Sequence, residues 1–120
     1  RLSVAISIGY MPAGNIAIRM GAKGLCISVV TACATGTNSI GEAFHQIKLG
    51  KLDACLAGGT ENAISRIAVA GFANLTALTT AEDPKRACIP FDKDRKGFVI
   101  ADGAGVLMLE ELEHAKARGA

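Results

Sequence analysis

The apolar positions of the 120-residue chain change period several times. "LCISVV", Leu25 to Val30, is a near-continuous apolar run of strand length, which predicts a strand covered on both faces. After Cys33, the residues Ile40, Ala43, Phe44 and Ile47 recur at helical spacing and Gly50 supplies a cap. At 3.6 residues per turn this predicts a helix of roughly four to five turns. "LDACLAGGT", Leu52 to Thr60, is a second buried-strand run, and Ile64, Ile67, Ala68 and Phe72 then return to the helical period. Pro12 with the following "AGNIAIRMGAKG" suits a short helix stopped by Gly21 and Gly24. From Asn74 to Lys96 the chain is polar and turn-rich, a long surface excursion. "GFVIADGAGVLMLEEL" resumes strand character, and "EELEHAKARGA" places acids ahead of His114, Lys116 and Arg118, the order a helix dipole favours. Strands alternating with helices predict an α/β layer domain, a mostly parallel sheet covered by helices.

Composition narrows the partners. Half of the residues are hydrophobic, enough for one domain with an apolar core and too few residues for two. Thirteen Lys and Arg against eleven Asp and Glu leave a scattered net charge of +2, which predicts no nucleic-acid surface and no polybasic membrane face. The apolar runs break well before the roughly 20 residues of a spanning helix, so no membrane segment is expected. No secretory signal opens the chain, and a cytoplasmic protein is predicted. Arg1 at the start and "KARGA" at the end read as a piece of something longer. Cys26, Cys33, Cys55 and Cys88 lack paired spacing and the sequence has no Cys-x-x-Cys, so neither a disulfide framework nor a zinc site is expected. The glycines of "AGG" and "DGAG" fit no phosphate-cradling motif, and no cofactor is predicted.

Cys33 stands where β-branched residues give way to a helical pattern. A thiol on the first turn of a helix faces unpaired backbone N–H groups and the positive end of the dipole, which stabilise the nucleophilic thiolate. The same N–H groups can hydrogen-bond an oxyanion forming on a carbonyl under attack. The position equally suits a small buried hydrophobe, and spacing alone leaves both readings open. Cys26, Cys55 and Cys88 are assigned no chemistry.

"VVTACATGTNSIGEAF", "IKLGKLDACLAGGTE" and "PFDKDRKGFVIADGAGVLMLEELEHAKARGA" closely resemble, in one collinear order, the β-ketoacyl-acyl carrier protein synthases, particularly the type II elongation synthases of fatty acid synthesis. The resemblance implies a thiolase-like fold, with residues 1–120 forming part of its N-terminal half. It implies that Cys33 takes an acyl chain from acyl carrier protein as a thioester, which a carbanion from decarboxylating malonyl-carrier protein then attacks. It implies that Phe72, with Ala68 one turn earlier, lines the acyl pocket, and that the strand Leu25 to Val30 pairs across a homodimer. The family's two catalytic histidines and lysine have no match here. His45 and His114 are expected to be structural or solvated, and the chain alone is not expected to condense. The opening "RLSVAISIG" also departs from the family pattern. The alternatives are the ketosynthase of a polyketide system and a non-catalytic structural fragment.

Overall fold

A computed structural model describes residues 7–120; the departing opening lies mostly outside them, over residues 1–6. The elements, in chain order, are α1 (Met11–Met20), a 3-10 turn (Ala32–Ala34), α2 (Thr35–Lys48), β1 (Ala54–Glu61), α3 (Arg66–Asn74), α4 (Pro84–Ala87), β2 (Gly103–Glu110) and α5 (Leu112–Ala117). They fall into two compact units, one comprising the residues up to Gly59 with Gly105–Ala120, the other Thr60–Ala104.

The elements after Cys33 follow the expected order. Pro12 sits in the first turn of α1, which ends on Gly21 in the left-handed conformation. α2 closes where Gly50 donates its N–H to the Ile47 carbonyl. The long polar excursion carries only the single turn of α4, capped by Asp83.

The sheet differs from the expected parallel arrangement. Among the described residues it has two strands, β1 and β2. The Glu111 N–H donates to the Asp53 carbonyl, while Gly58 lies against Gly105 and Val106, so the strands run antiparallel. The reason is visible where the excursion returns: Asp102, just before β2, hydrogen-bonds Asn62 and Ile64, just after β1. A chain that re-enters a sheet at the end it left must run back the other way. Residues 25–30 form no strand, and the two-stranded sheet gives them no ladder partner among the described residues.

Among the described residues the expected apolar core is also absent. Only Ala43 and Ala57 are buried among the described hydrophobic residues. The chain exposes 9580 Å², where a self-contained monomer of its mass exposes roughly 6,100 Å². Leu25, Ile27, Val30, Ile64 and Ile67, read from the sequence as inward-facing, are all exposed. Their pattern is that of buried elements, but the faces that would cover them are not supplied by these residues.

Candidate active site at the Cys33 turn

The chain enters α2 through a sharp turn. Thr31, at φ −138° and ψ 42°, has already left the extended region, and Ala32 takes φ +50°, a left-handed conformation rare outside glycine. Such a residue costs roughly 1–2 kcal/mol and persists only where neighbours hold it. Here Thr35 holds it: its hydroxyl donates to the Ala32 carbonyl at 2.8 Å and accepts the Thr31 N–H at 2.9 Å. The Ala34 N–H donates to the Thr31 carbonyl at 3.1 Å, closing the turn. Cys33 sits at its apex, exposed, immediately before the helix.

Small residues let this turn sit against β1. A Cβ on Gly59 would come within 3.1 Å of the Gly36 Cα, so the helix start and the strand meet backbone to backbone. One turn on, the Ser39 hydroxyl accepts the Gly58 N–H at 3.3 Å, and Ala43 is buried further along the helix. No side chain caps the 3-10 turn or α2. The Ala34 and Thr35 amides are taken by the Thr31 and Ala32 carbonyls, so an oxyanion donor at this turn has to come from the Cys33 N–H itself.

The other thiols are placed differently. Cys26 and Cys88 are exposed and Cys55 is half-buried on β1, where burial pushes its thiol up; all four cysteines are free. Cys26, within the run predicted as a strand covered on both faces, is therefore exposed instead.

Ala68 and Phe72, the expected acyl-pocket residues, lie four apart on α3 and are both half-buried. The helix starts at Ser65, whose hydroxyl accepts the Ala68 N–H at 3.2 Å. The Phe72 ring meets Phe98 edge-on, with centroids 5.2 Å apart. Cys33 belongs to one compact unit and this pair to the other. Phe98 and Asp102 were not singled out by the sequence reading, because the contacts that define them cross 26 or more residues of chain.

Both histidines are exposed. His45 is exposed on α2, its ring tilted against Phe44. The His114 Nδ1 lies 2.6 Å from Glu110, whose carboxyl is pushed down to about 2, chiefly by two hydrogen bonds from Arg118 and then by His114. In the polar loop, Arg86 pairs with Asp92 at 3.2 Å and Asp94 at 3.9 Å, so this basic residue is turned to its own loop. Among the described residues no helix is long and apolar enough to cross a membrane.

Solved ketosynthases share the fold of this chain. A structure of a type II polyketide synthase acyl-carrier protein in complex with its ketosynthase, bound to the hexaketide, matches 92% of the chain with a TM-score of 0.88 and 38% identity, over 28% of that protein. A β-ketoacyl synthase from Burkholderia phymatum STM815 matches 92% of the chain with a TM-score of 0.85 and 44% identity, over 27% of its length. The fold is thus the α/β, thiolase-like fold of the ketosynthases. Residues 3–115 match the β-ketoacyl synthase N-terminal domain, and the chain belongs to that family. It is 51% identical over 117 residues to 3-oxoacyl-[acyl-carrier-protein] synthase 2 of Staphylococcus aureus, and 52% identical over 112 residues to the enzyme of the same name from Rhizobium meliloti strain 1021. The alignments cover 98% and 92% of the chain, which spans 29% and 27% of those relatives.

Proposed function

We propose that the chain carries the acylation half of a 3-oxoacyl-acyl-carrier-protein synthase, an acyltransferase of fatty acid elongation, with Cys33 as the nucleophile. The observation that carries this reading is the exposed thiol at the apex of a braced, left-handed turn opening directly onto an uncapped helix start. The thiolate attacks the acyl thioester carbonyl of acyl carrier protein, and the resulting oxyanion is hydrogen-bonded by backbone N–H groups. Collapse of the tetrahedral intermediate expels the carrier's thiolate, which takes up a proton, and leaves the acyl chain on Sγ. Ala68 and Phe72 line the pocket for that chain. In the whole enzyme, malonyl-carrier protein then loses carbon dioxide, and its carbanion attacks the Cys33 thioester to give a 3-oxoacyl chain two carbons longer. Neither His45 nor His114 is placed for that second step, so this chain stops at the acyl-enzyme. The reading includes pairing of two copies through residues 25–30, where Leu25, Ile27 and Val30 are exposed, and a cytoplasmic setting for the four free thiols.

Intact mass after incubation with an acyl-carrier-protein thioester tests this. One acyl adduct that disappears in Cys33→Ala is expected, and no 3-oxoacyl product when malonyl-carrier protein is added. An adduct that survives the substitution, or that maps to Cys26, Cys55 or Cys88, overturns the assignment. The polyketide reading is favoured by the polyketide ketosynthase among the structural matches. The higher identity to the two 3-oxoacyl synthases supports the fatty acid pathway.

A further inference from the structure

Within the unit Thr60–Ala104, one extended stretch touches α3 at both of its ends. At the N-terminal end, the Asp102 carboxylate accepts the Ile64 N–H at 3.0 Å and the Asn62 side-chain amide at 3.1 Å, just ahead of the Ser65 cap. At the C-terminal end, the Phe98 ring packs edge-on against Phe72. The Phe98 backbone is itself fixed there, donating to the Ala77 carbonyl and accepting from the Thr79 N–H, both at 2.9 Å, while the Ala77 N–H donates to the Phe72 carbonyl at 3.1 Å. Gly97, at φ +106°, makes this approach possible, since a Cβ there would come within 2.7 Å of the Leu78 carbonyl carbon. The lengths agree: the nine residues of α3 rise about 13 Å, and four residues of extended chain reach at most about 14 Å. Residues 97–102 therefore run the length of the helix in the opposite direction.

We propose that residues 97–102 are a strap that sets where Phe72 sits, and that Asp102 and Phe98 are positioning residues for acyl-chain selection. The proposal rests on the synthase reading of Phe72 above. Asp102 fixes the helix along its axis by holding the segment that enters it, and Phe98 fixes the Phe72 ring from the side. An aromatic ring lining the pocket affects chain-length preference by where it is held, and a displacement of one methylene is enough to change the preference by about tenfold or more.

The test uses this chain with Asp102→Ala, Asp102→Asn and Phe98→Leu. Backbone amide exchange is measured throughout, with α2 as the internal control for folding. In parallel, Cys33 competes for an equimolar mixture of pantetheine thioesters of short to long saturated acyl chains, read by intact mass, and iodoacetamide labelling of Cys33 is followed separately. Asp102→Ala should speed exchange at Ile64 by about tenfold, the loss of one hydrogen bond to a charged acceptor, and Asp102→Asn, which keeps an acceptor oxygen, should recover most of it. Phe98→Leu and Asp102→Ala should shift the ratio of long to short acyl adducts by about tenfold while leaving iodoacetamide labelling unchanged. Unaltered exchange in both variants overturns the strap, and altered exchange with an unaltered chain-length ratio overturns its role in selection. If the unsubstituted chain takes no acyl group although iodoacetamide labels Cys33, the synthase reading fails and the selection role with it. Exchange alone then decides whether the strap holds the helix.

Discussion

The turn at Cys33 and the loop around Phe91 both hold a non-glycine residue in the left-handed region, Ala32 at φ +50° and Phe91 at φ +66°. They are braced by different chemistry. At Ala32 a single neutral hydroxyl, that of Thr35, both donates and accepts across the turn. At Phe91 the brace is the neighbouring Asp92: its carboxylate accepts the Asp94 N–H at 2.8 Å and pairs with Arg86, and its carbonyl accepts from the Arg95 guanidinium at 2.9 Å. The first device is indifferent to pH and salt, and the second depends on both. The first also presents an exposed thiol, and the second presents a phenylalanine that is 99% exposed. On the reading proposed for Cys33, strain beside it has a chemical use, because it sets the thiol ahead of the helix.

The most disruptive way to separate the two regions is to enlarge the strained residue at the first. Ala32→Val puts a β-branched side chain at positive φ, and should destabilise its unit by about 2–3 kcal/mol. Urea unfolding followed by amide exchange should show that loss around residues 31–48, together with loss of the preferential labelling of Cys33. Unchanged exchange there would mean that Ala32 is not a constrained apex. Thr35→Val removes both hydroxyl bonds while keeping the shape of the side chain. At this half-exposed site water replaces part of the loss, so about 1 kcal/mol is expected. Cys33 labelling should slow while the Phe91 loop is unaffected.

How far the sequence anticipates each region follows from the range of its contacts. The Cys33 turn is held by residues three and four apart, so its strand-to-helix junction, α2 and the Gly50 cap are all legible in the spacing of "VVTACATGTNSIGEAF". The strap along α3 depends on contacts between residues 26 to 40 positions apart, such as Phe72 with Phe98 and Asn62 with Asp102, and no periodicity encodes those. The direction of β2 is hidden for the same reason: a 41-residue excursion between strands could return at either end, and Asp102 decides which. Burial is hidden for a different reason. Apolar patterning reports the environment an element is suited to, so Leu25, Ile27 and Ile67 carry the signature of covered faces while standing exposed here.

A milder change acts at the second apex with the opposite sign. Phe91→Asn places a residue that tolerates the left-handed region where the phenylalanine buries nothing. It should stabilise the loop by about 0.5–1 kcal/mol, seen as slower amide exchange at Asp92 and Arg95. A loss of stability would show that the Phe91 ring is in contact with a partner, such as a second copy, under the conditions used.

The smallest effect, and the sharpest separation of the two braces, comes from acid. The Asp92 carboxyl is held below its ordinary range first by the Asp94 N–H it accepts and then by the charge and hydrogen bonding of Arg86. Because the folded value lies below the unfolded one, the brace contributes fully above the ordinary carboxylate value and is lost as pH falls through the lowered one. Glu110 has the same sign, its contribution fading as pH falls from 4.5 toward about 2. Amide shifts and exchange in residues 89–95 should therefore change through the acid range, and high salt at neutral pH should reproduce part of the change by screening the exposed Arg86 pair. Residues 31–35 should show neither response, since Thr35 does not titrate. Asp92→Asn should remove the acid response of the Phe91 loop while leaving that of Glu110 in place. If the Thr31–Thr35 amides titrate alongside the Phe91 loop, the neutral brace is not independent of the ionic one, and the two apices unfold as one cooperative unit.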